Sequence, residues 1–270
     1  MLVLFAAARP AIADCPDFAG RWYPVRGELT FAIAKGDFNG DGIKDIAVTY
    51  SRDIEGTDGW LTIMMGGSDG LMHPLPTEYP IGPKPRGIAI GDLNGDGKLD
   101  LVVAADTKNY YCNSLPFCLH DVVGGEVVLL GNGDGTFRNG YASSGGHPYD
   151  VAVADFNGDG KPDLVVANGT TVSILLNRGD GTFGAPVNYA AGSRYIGYLG
   201  RYVAVGDFNR DGARDFAVSG TEGESVAVFL GNGHGGFSGP VNYPLGVESG
   251  PVEVADFNRD GRPDIAVDSR

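Results

Sequence analysis

A chain of 270 residues with 43% hydrophobic side chains is long enough to bury a large core, and its 44 glycines and 16 prolines fit many short strands joined by turns. The formal charge of −14 makes nucleic acid an improbable partner. The longest apolar run falls short of the roughly twenty residues a membrane-spanning helix needs.

In chain order, the apolar residues Leu2 to Ala8 are followed by Ala11-Ile12-Ala13 ahead of Asp14, the small-residue pattern of a signal-peptidase site. Residues 1–13 therefore read as a signal peptide and 14–270 as the exported chain, which predicts a secreted or extracytoplasmic protein at the cell surface or in a periplasm. In an exported chain Cys112 and Cys118, close together in one loop, are expected to pair and leave Cys15 over. Three free thiols is the alternative if the chain is not exported.

From Asp37 onward one pattern recurs five times: D-[FL]-N-x-D-G-x-x-D, at residues 37–45, 92–100, 155–163, 207–215 and 256–264. Oxygens at positions 1, 3, 5 and 9, with the backbone carbonyl of position 7, suit a hard cation that takes six to eight oxygen ligands. The predicted ligands are Asp37, Asn39, Asp41, Ile43 and Asp45, then Asp92, Asn94, Asp96, Lys98 and Asp100. The third loop offers Asp155, Asn157, Asp159, Lys161 and Asp163, the fourth Asp207, Asn209, Asp211, Ala213 and Asp215, and the fifth Asp256, Asn258, Asp260, Arg262 and Asp264. Up to five Ca²⁺ fit better than Mg²⁺, which prefers a stricter octahedron and keeps several waters. Five such ions would bring the formal charge to about −4. Glycine at position 6 permits a sharp turn with positive φ.

An EF-hand would need a bidentate Glu at position 12, where all five copies have valine: Val48, Val103, Val166, Val218 and Val267. The residues leaving each loop, such as Leu164-Val165-Val166, are short and β-branched, so the loops join strands. The third copy predicts four strands: Asp150 to Ala154, Leu164 to Ala167, Thr171 to Leu176 and one around Pro186 to Tyr189. Between the third and fourth, Asn177-Arg178-Gly179-Asp180-Gly181 reads as a type I′ hairpin turn, as do residues 131–137 and 231–237. The loops start 55, 63, 52 and 49 residues apart, a period that belongs to repeat architectures. Four antiparallel strands per repeat make a propeller blade.

These loops, with Phe183-Gly184-Ala185-Pro186 in the third repeat, resemble the FG-GAP or VCBS-type repeats, the family that includes the N-terminal propeller of integrin α chains. The resemblance covers about residues 17 to 270. It implies an all-β propeller of four-stranded antiparallel blades, with five recognisable repeats and calcium in the strand-connecting loops. Such propellers serve in cell adhesion and sugar binding and as appendages to enzymes. The segment from Asp17 to Val25 reads as a fourth strand that could complete the last blade, whose third strand does not appear in the chain.

Metal loops and third-to-fourth-strand turns share one face of such a propeller, so the remaining connectors gather on the other. That face collects Trp60, Tyr110, Tyr111, Phe117, Tyr195 and Tyr198, rings suited to sugars or protein surfaces. The ions are expected to staple strands rather than recruit ligands, since a wrapped ion has little coordination left. The predicted function is non-enzymatic binding of an extracellular glycan or protein. The enzymatic alternative, a propeller of or accessory to a carbohydrate-active enzyme such as a polysaccharide lyase, would rest on His120, Tyr111 and Arg194, which no motif selects.

Overall fold

The computed structural model describes Tyr23 and residues 25–105, 125–142, 146–191, 201–221, 225–246 and 249–269. Every regular element among them is a strand. Blade one comprises β1 (Leu29–Gly36), β2 (Asp45–Ser51), β3 (Gly59–Gly66) and β4 (Met72–Pro80); blade two comprises β5 (Gly87–Gly91), β6 (Asp100–Ala105), β7 (Gly125–Gly131) and β8 (Phe137–Ala142). Blade three runs through β9 (Pro148–Ala154), β10 (Asp163–Asn168), β11 (Thr171–Leu175) and β12 (Val187–Ala190), and blade four through β13 (Val203–Gly206), β14 (Asp215–Thr221), β15 (Ser225–Gly231) and β16 (Phe237–Pro244). Blade five contributes β17 (Ser249–Ala255) and β18 (Asp264–Ser269). Each blade is an antiparallel meander in sequence order.

The first strand of each blade packs against the first strand of the next, β1 on β5, β5 on β9, β9 on β13 and β13 on β17. The second strands β6 and β10 are buried along their whole length, which is why their sequences are continuous apolar runs instead of alternating ones. Their two faces feed different interiors. Leu101, Val103 and Ala105 pack with Ala47, Leu61 and Ile63 between blades one and two, whereas Val102 and Ala104 pack with Leu164, Val166 and Leu175 between blades two and three. The core is thus a series of layers between blades, continued by Phe156, Phe216 and Phe229 between blades three and four.

Blade one has a face turned away from blade two, formed by Val48, Tyr50 and Met64, and it is covered by Val25 with Tyr23 alongside. The Tyr23 hydroxyl accepts from the Met72 amide at 3.2 Å. These two residues therefore lie against the first blade, and the rest of the 17–25 segment lies outside the described residues. The third-to-fourth-strand turns also differ from the type I′ expectation. In residues 131–137 the positive φ angles fall on alternate residues, Gly133 (79°) and Gly135 (84°), and the Asn132 amide donates to the Thr136 carbonyl at 2.9 Å. A type I′ turn needs positive φ at two consecutive residues. Here Asp134 accepts from the amide and hydroxyl of Thr136, and Asp180 does the same with Thr182, so these two turns are built around an aspartate cap; in residues 231–237 Asn232 accepts from the amides of His234 and Gly236 instead.

Candidate metal loops and the opposite face

Because the metal loops link the first and second strands of every blade, all five loops and the turns after β3, β7, β11 and β15 share one end of the blades. Within each loop the side chains hold the backbone in a tight coil. The position-1 carboxylate accepts from the amide of position 6, at 2.8 Å for Asp37 with Gly42, Asp92 with Gly97 and Asp155 with Gly160, at 3.1 Å for Asp207 with Gly212 and at 2.9 Å for Asp256 with Gly261. Position-3 asparagines accept from position 5, as Asn157 does from Asp159 at 2.9 Å. Position 5 accepts from position 7, as Asp159 does from Lys161 at 3.0 Å. The glycine at position 6 has φ of 84°, 80°, 80°, 89° and 79° in the five copies, a left-handed backbone that a Cβ would strain.

Position 9 plays a part that spacing alone does not show. Asp45, Asp100, Asp163 and Asp215 are fully buried. One carboxylate oxygen accepts from the amide of position 2, the other from the end of the third strand or the start of its turn. For Asp163 these are Phe156 at 3.0 Å and Asn177 at 2.8 Å; for Asp100 they are Leu93 and Gly131, both at 2.7 Å. The aspartate therefore fastens the loop to the third strand. Burial pushes the carboxyls of Asp100 and Asp163 upward, against the pull of these amides, and the neighbouring Asp92 and Asp96, or Asp155 and Asp159, add to the push. By contrast, the Gly42 amide holds exposed Asp37 below its ordinary value, and the Lys161 amide does so for Asp159.

Neighbouring blades close over this machinery. The Gly135 amide in blade two donates to the Phe38 carbonyl in the loop of blade one at 3.1 Å. Gly181 repeats the contact to Leu93 at 3.1 Å and Gly235 to Phe156 at 3.0 Å. Asn177 adds its side-chain amide to the Leu93 and Pro162 carbonyls, both at 2.8 Å. Rings lock the same junctions: Phe137 meets Phe38 and Tyr79 edge-on at 5.6 and 5.8 Å, and Phe237 meets Phe156 and Tyr189 at 5.5 and 5.7 Å.

The donor set fits a hard divalent cation: each loop brings three carboxylates, one amide oxygen and the position-7 carbonyl to a coil of nine residues. The mutual push between the carboxylates around Asp100 and Asp163 is the electrostatic load that a cation would relieve. Among the described residues no three acidic, His or Cys side chains converge on one metal position. The position-1 and position-5 carboxylates accept from the loop's own amides.

On the opposite face Trp60, the second residue of β3, is held firmly. Its indole N–H donates to Asp58 at 2.7 Å, and the Arg52 guanidinium lies 3.6 Å over its ring. Arg52 pairs with Glu78 at 2.6 Å, and the Tyr50 hydroxyl donates to the other Glu78 oxygen, also at 2.6 Å. Burial and Glu78 push the Tyr50 phenol up. Tyr110, Tyr111, Phe117, Tyr195 and Tyr198 lie outside the described residues, as do Cys15, Cys112, Cys118, His120, Arg194 and the segment 1–13. A second cation–π pair on this face, Arg86 at 4.1 Å over Tyr149, escaped the sequence reading.

So did Asp150. It lines an axial cavity of about 330 Å³ between first strands, together with Ile88, Tyr202, Val205, Pro251 and Glu253. Its carboxylate accepts from Val151 at 2.9 Å and across the blade boundary from Val203 at 3.1 Å. Gly87 of blade two leaves room for it, since a Cβ there would stand 2.5 Å from the carboxylate. Burial pushes Asp150 up to about 6, its two amide bonds oppose this and the charge of Glu253 adds to it. The signal was present in the repeat alignment: five residues before each loop stand Ala32, Gly87, Asp150, Tyr202 and Pro251, of which one is charged.

Antiparallel four-stranded blades packed side by side through their first strands, each carrying the same loop at the same end, define a β-propeller repeat protein. A family model described as FG-GAP-like repeat matches residues 26–103, 118–166, 155–218 and 207–267, and the chain belongs to that family. Human integrin alpha-IIb is 30% identical over 176 residues, covering 55% of this chain and 15% of that protein. Chicken (Gallus gallus) integrin alpha-V is 29% identical over 170 residues, covering 60% and 15%. A T-cell immunomodulatory protein homolog of Plasmodium falciparum is 32% identical over 80 residues, 28% of this chain and 11% of that one. The matches thus span a small part of these relatives. A solved structure of an Agrocybe aegerita lectin, described as recognising non-reducing terminal N-acetylglucosamine, aligns with a TM-score of 0.46 at 20% identity, covering 77% of this chain and 50% of the lectin. No helix among the described residues is long and apolar enough to cross a membrane.

Proposed function

We propose that this chain is a non-enzymatic, extracellular binding propeller whose loops are stapled by up to five Ca²⁺ and whose partner, a glycan or a protein, docks on the face opposite the metal loops. The observation that supports it is the division of labour between the two ends of the blades. One end repeats a single acidic loop five times, with its position-9 aspartate tied to the third strand; the other end carries connectors of unequal length and sequence. Repetition of that kind suits a structural device, and variation suits recognition. Similarity to integrin α chains supports this reading.

When bound, calcium would neutralise the three carboxylates of each loop and so bind the first, second and third strands together. Positions 1, 3 and 5 would supply side-chain oxygens and position 7 its carbonyl. Position 9 has remaining lone pairs on oxygens whose first ones already accept backbone amides. Thermal unfolding of the full chain in excess calcium and in chelator tests the staple. Calcium is expected to raise Tm by several degrees, and Asp155→Asn with Asp159→Asn, which keeps the oxygens that accept loop amides, should reduce the rise. An unchanged Tm in calcium would sink the proposal. Trp60→Ala should weaken capture of an extracellular partner without altering the calcium response.

A further inference from the structure

Position 4 of the metal loop is glycine in the first three blades, Gly40, Gly95 and Gly158, with φ of 75°, 73° and 75°. In blades four and five it is Arg210 and Arg259, held at φ of 62° and 64°. These two account for all but one of the described non-glycine residues with positive φ, the third being Lys84 at 49°. A left-handed backbone is unfavourable for any residue with a Cβ, and glycine would relieve it at both sites. The fold therefore supplies no reason for arginine here, and strain kept at the same position in two adjacent blades points to use of the side chains.

Position 4 is exposed in all five loops, including the three that another described blade follows. Arg214 at position 8 and Arg262 at position 7 are exposed as well. None of the four arginines forms an ion pair among the described residues, whereas Lys98 and Lys161 lie 3.7 and 3.4 Å from Asp96 and Asp159 of their own loops. The formal loop charge is −2 in each of the first three blades and −1 in the fourth and fifth. With one divalent ion in each loop, a count that rests on the proposed function above, the first three become neutral and the last two carry +1.

We propose that the metal-loop ends of blades four and five form a docking surface for a linear anionic polysaccharide, with Arg210 and Arg259 as its main contacts and Arg214 and Arg262 beside them. The guanidinium fork matches carboxylate and sulfate oxygens two at a time. Equal positions in adjacent blades present equal groups at a repeat, which suits a polymer whose charges also repeat. Duplex DNA carries one charge per about 1.7 Å of axis, denser than four arginines match, and so meets more repulsion from the chain's remaining acidic side chains. This surface lies at the other end of the blades from Trp60, so it is a second site.

The test is a binding titration of the full chain in excess calcium with hyaluronate as the carboxylated probe, dextran sulfate as the sulfated one, and neutral dextran and duplex DNA as controls. The wild type is expected to bind one or both polyanionic glycans in a salt-sensitive way and to ignore dextran. Arg210→Gly with Arg259→Gly restores the glycines of the other blades, so its Tm and calcium response should be unchanged or raised while affinity falls at least tenfold. Lys35→Ala with Arg138→Ala, exposed basic residues outside the metal loops, should leave affinity within twofold. The proposal is overturned if the wild type binds neither glycan, if the double-glycine variant binds as tightly, or if dextran or DNA binds as well as the anionic glycans. Failure of calcium to raise Tm would count against the staple alone, since the glycine variant reports on the arginines directly.

Discussion

The third and fifth blades carry nearly the same loop, Asp155-Phe156-Asn157-Gly158-Asp159 and Asp256-Phe257-Asn258-Arg259-Asp260, yet the loops stand in different surroundings. Phe156 is 1% exposed and Phe257 57%. The Gly235 turn of blade four lies over the former and gives its carbonyl an amide partner, while no such turn reaches the latter among the described residues. Asp163 is fully buried between two backbone amides; Asp264 is partly exposed, and the strand-three amide that Asp163 holds has no counterpart in its bonds. The loop sequence thus specifies a local coil, and the neighbouring blade converts that coil into core.

This difference can be broken most forcefully at position 2. Phe156→Ala should cost about 3–5 kcal/mol, because a ring packed against Phe237 leaves a cavity, whereas Phe257→Ala should cost under about 1 kcal/mol. Denaturant titration of the two variants gives the comparison directly, and equal losses would refute the role assigned to the neighbouring turn.

Position 9 should follow with a smaller contrast. Asp163→Ala strands the amides of Phe156 and Asn177 in the interior and is expected to cost about 3 kcal/mol, against about 1 kcal/mol for Asp264→Ala. Measured without calcium, the pair isolates this fastening role from any metal.

A third effect sharpens the comparison through pH. Asp150 also joins neighbouring blades, but at the axis, and its folded-state value of about 6 lies above that of an unfolded aspartate. Its proton is therefore held more tightly in the folded chain, so its contribution to stability is fully present below about pH 4 and is lost as pH rises through about 6. In chelator, the wild type should lose up to about 2 kcal/mol from this group between pH 4 and 7, and Asp150→Asn should flatten that part of the profile. A slope unaffected by the substitution would show that the group is not buried as described.

Much of the fold was legible because its signals are local. Glycine at position 6, valine at position 12 and the β-branched runs after each loop belong to single strands and turns, and the structure places strands where those runs stand. Sheet order followed from the short connections, which allow little besides a meander. The position-9 aspartate was legible as part of a motif but not as a buried fastener, because its partners Gly131, Gly231 and Asn177 lie at the end of another strand or in the turn after it. Tyr23 and Val25 showed a strand-like pattern that fits more than one uncovered sheet, and only packing assigns them to blade one. Trp60 stood out as an aromatic, whereas its Arg52, Glu78 and Tyr50 partners are ordinary residues until the strands bring them together.

By itself the sequence determined the unit: an acidic coil between two strands, repeated five times, with the family it belongs to. Those features depend on residues within one turn of chain, where spacing dictates geometry. Tertiary structure alone decided which copies of the coil become interior, why aspartate at position 9 is buried, and that Asp150 bridges blades beside an axial cavity. The physical reason is that burial and amide pairing at these points come from the next blade, through contacts such as Gly235 with Phe156 and Val203 with Asp150, and such contacts leave no local spacing in the sequence to read.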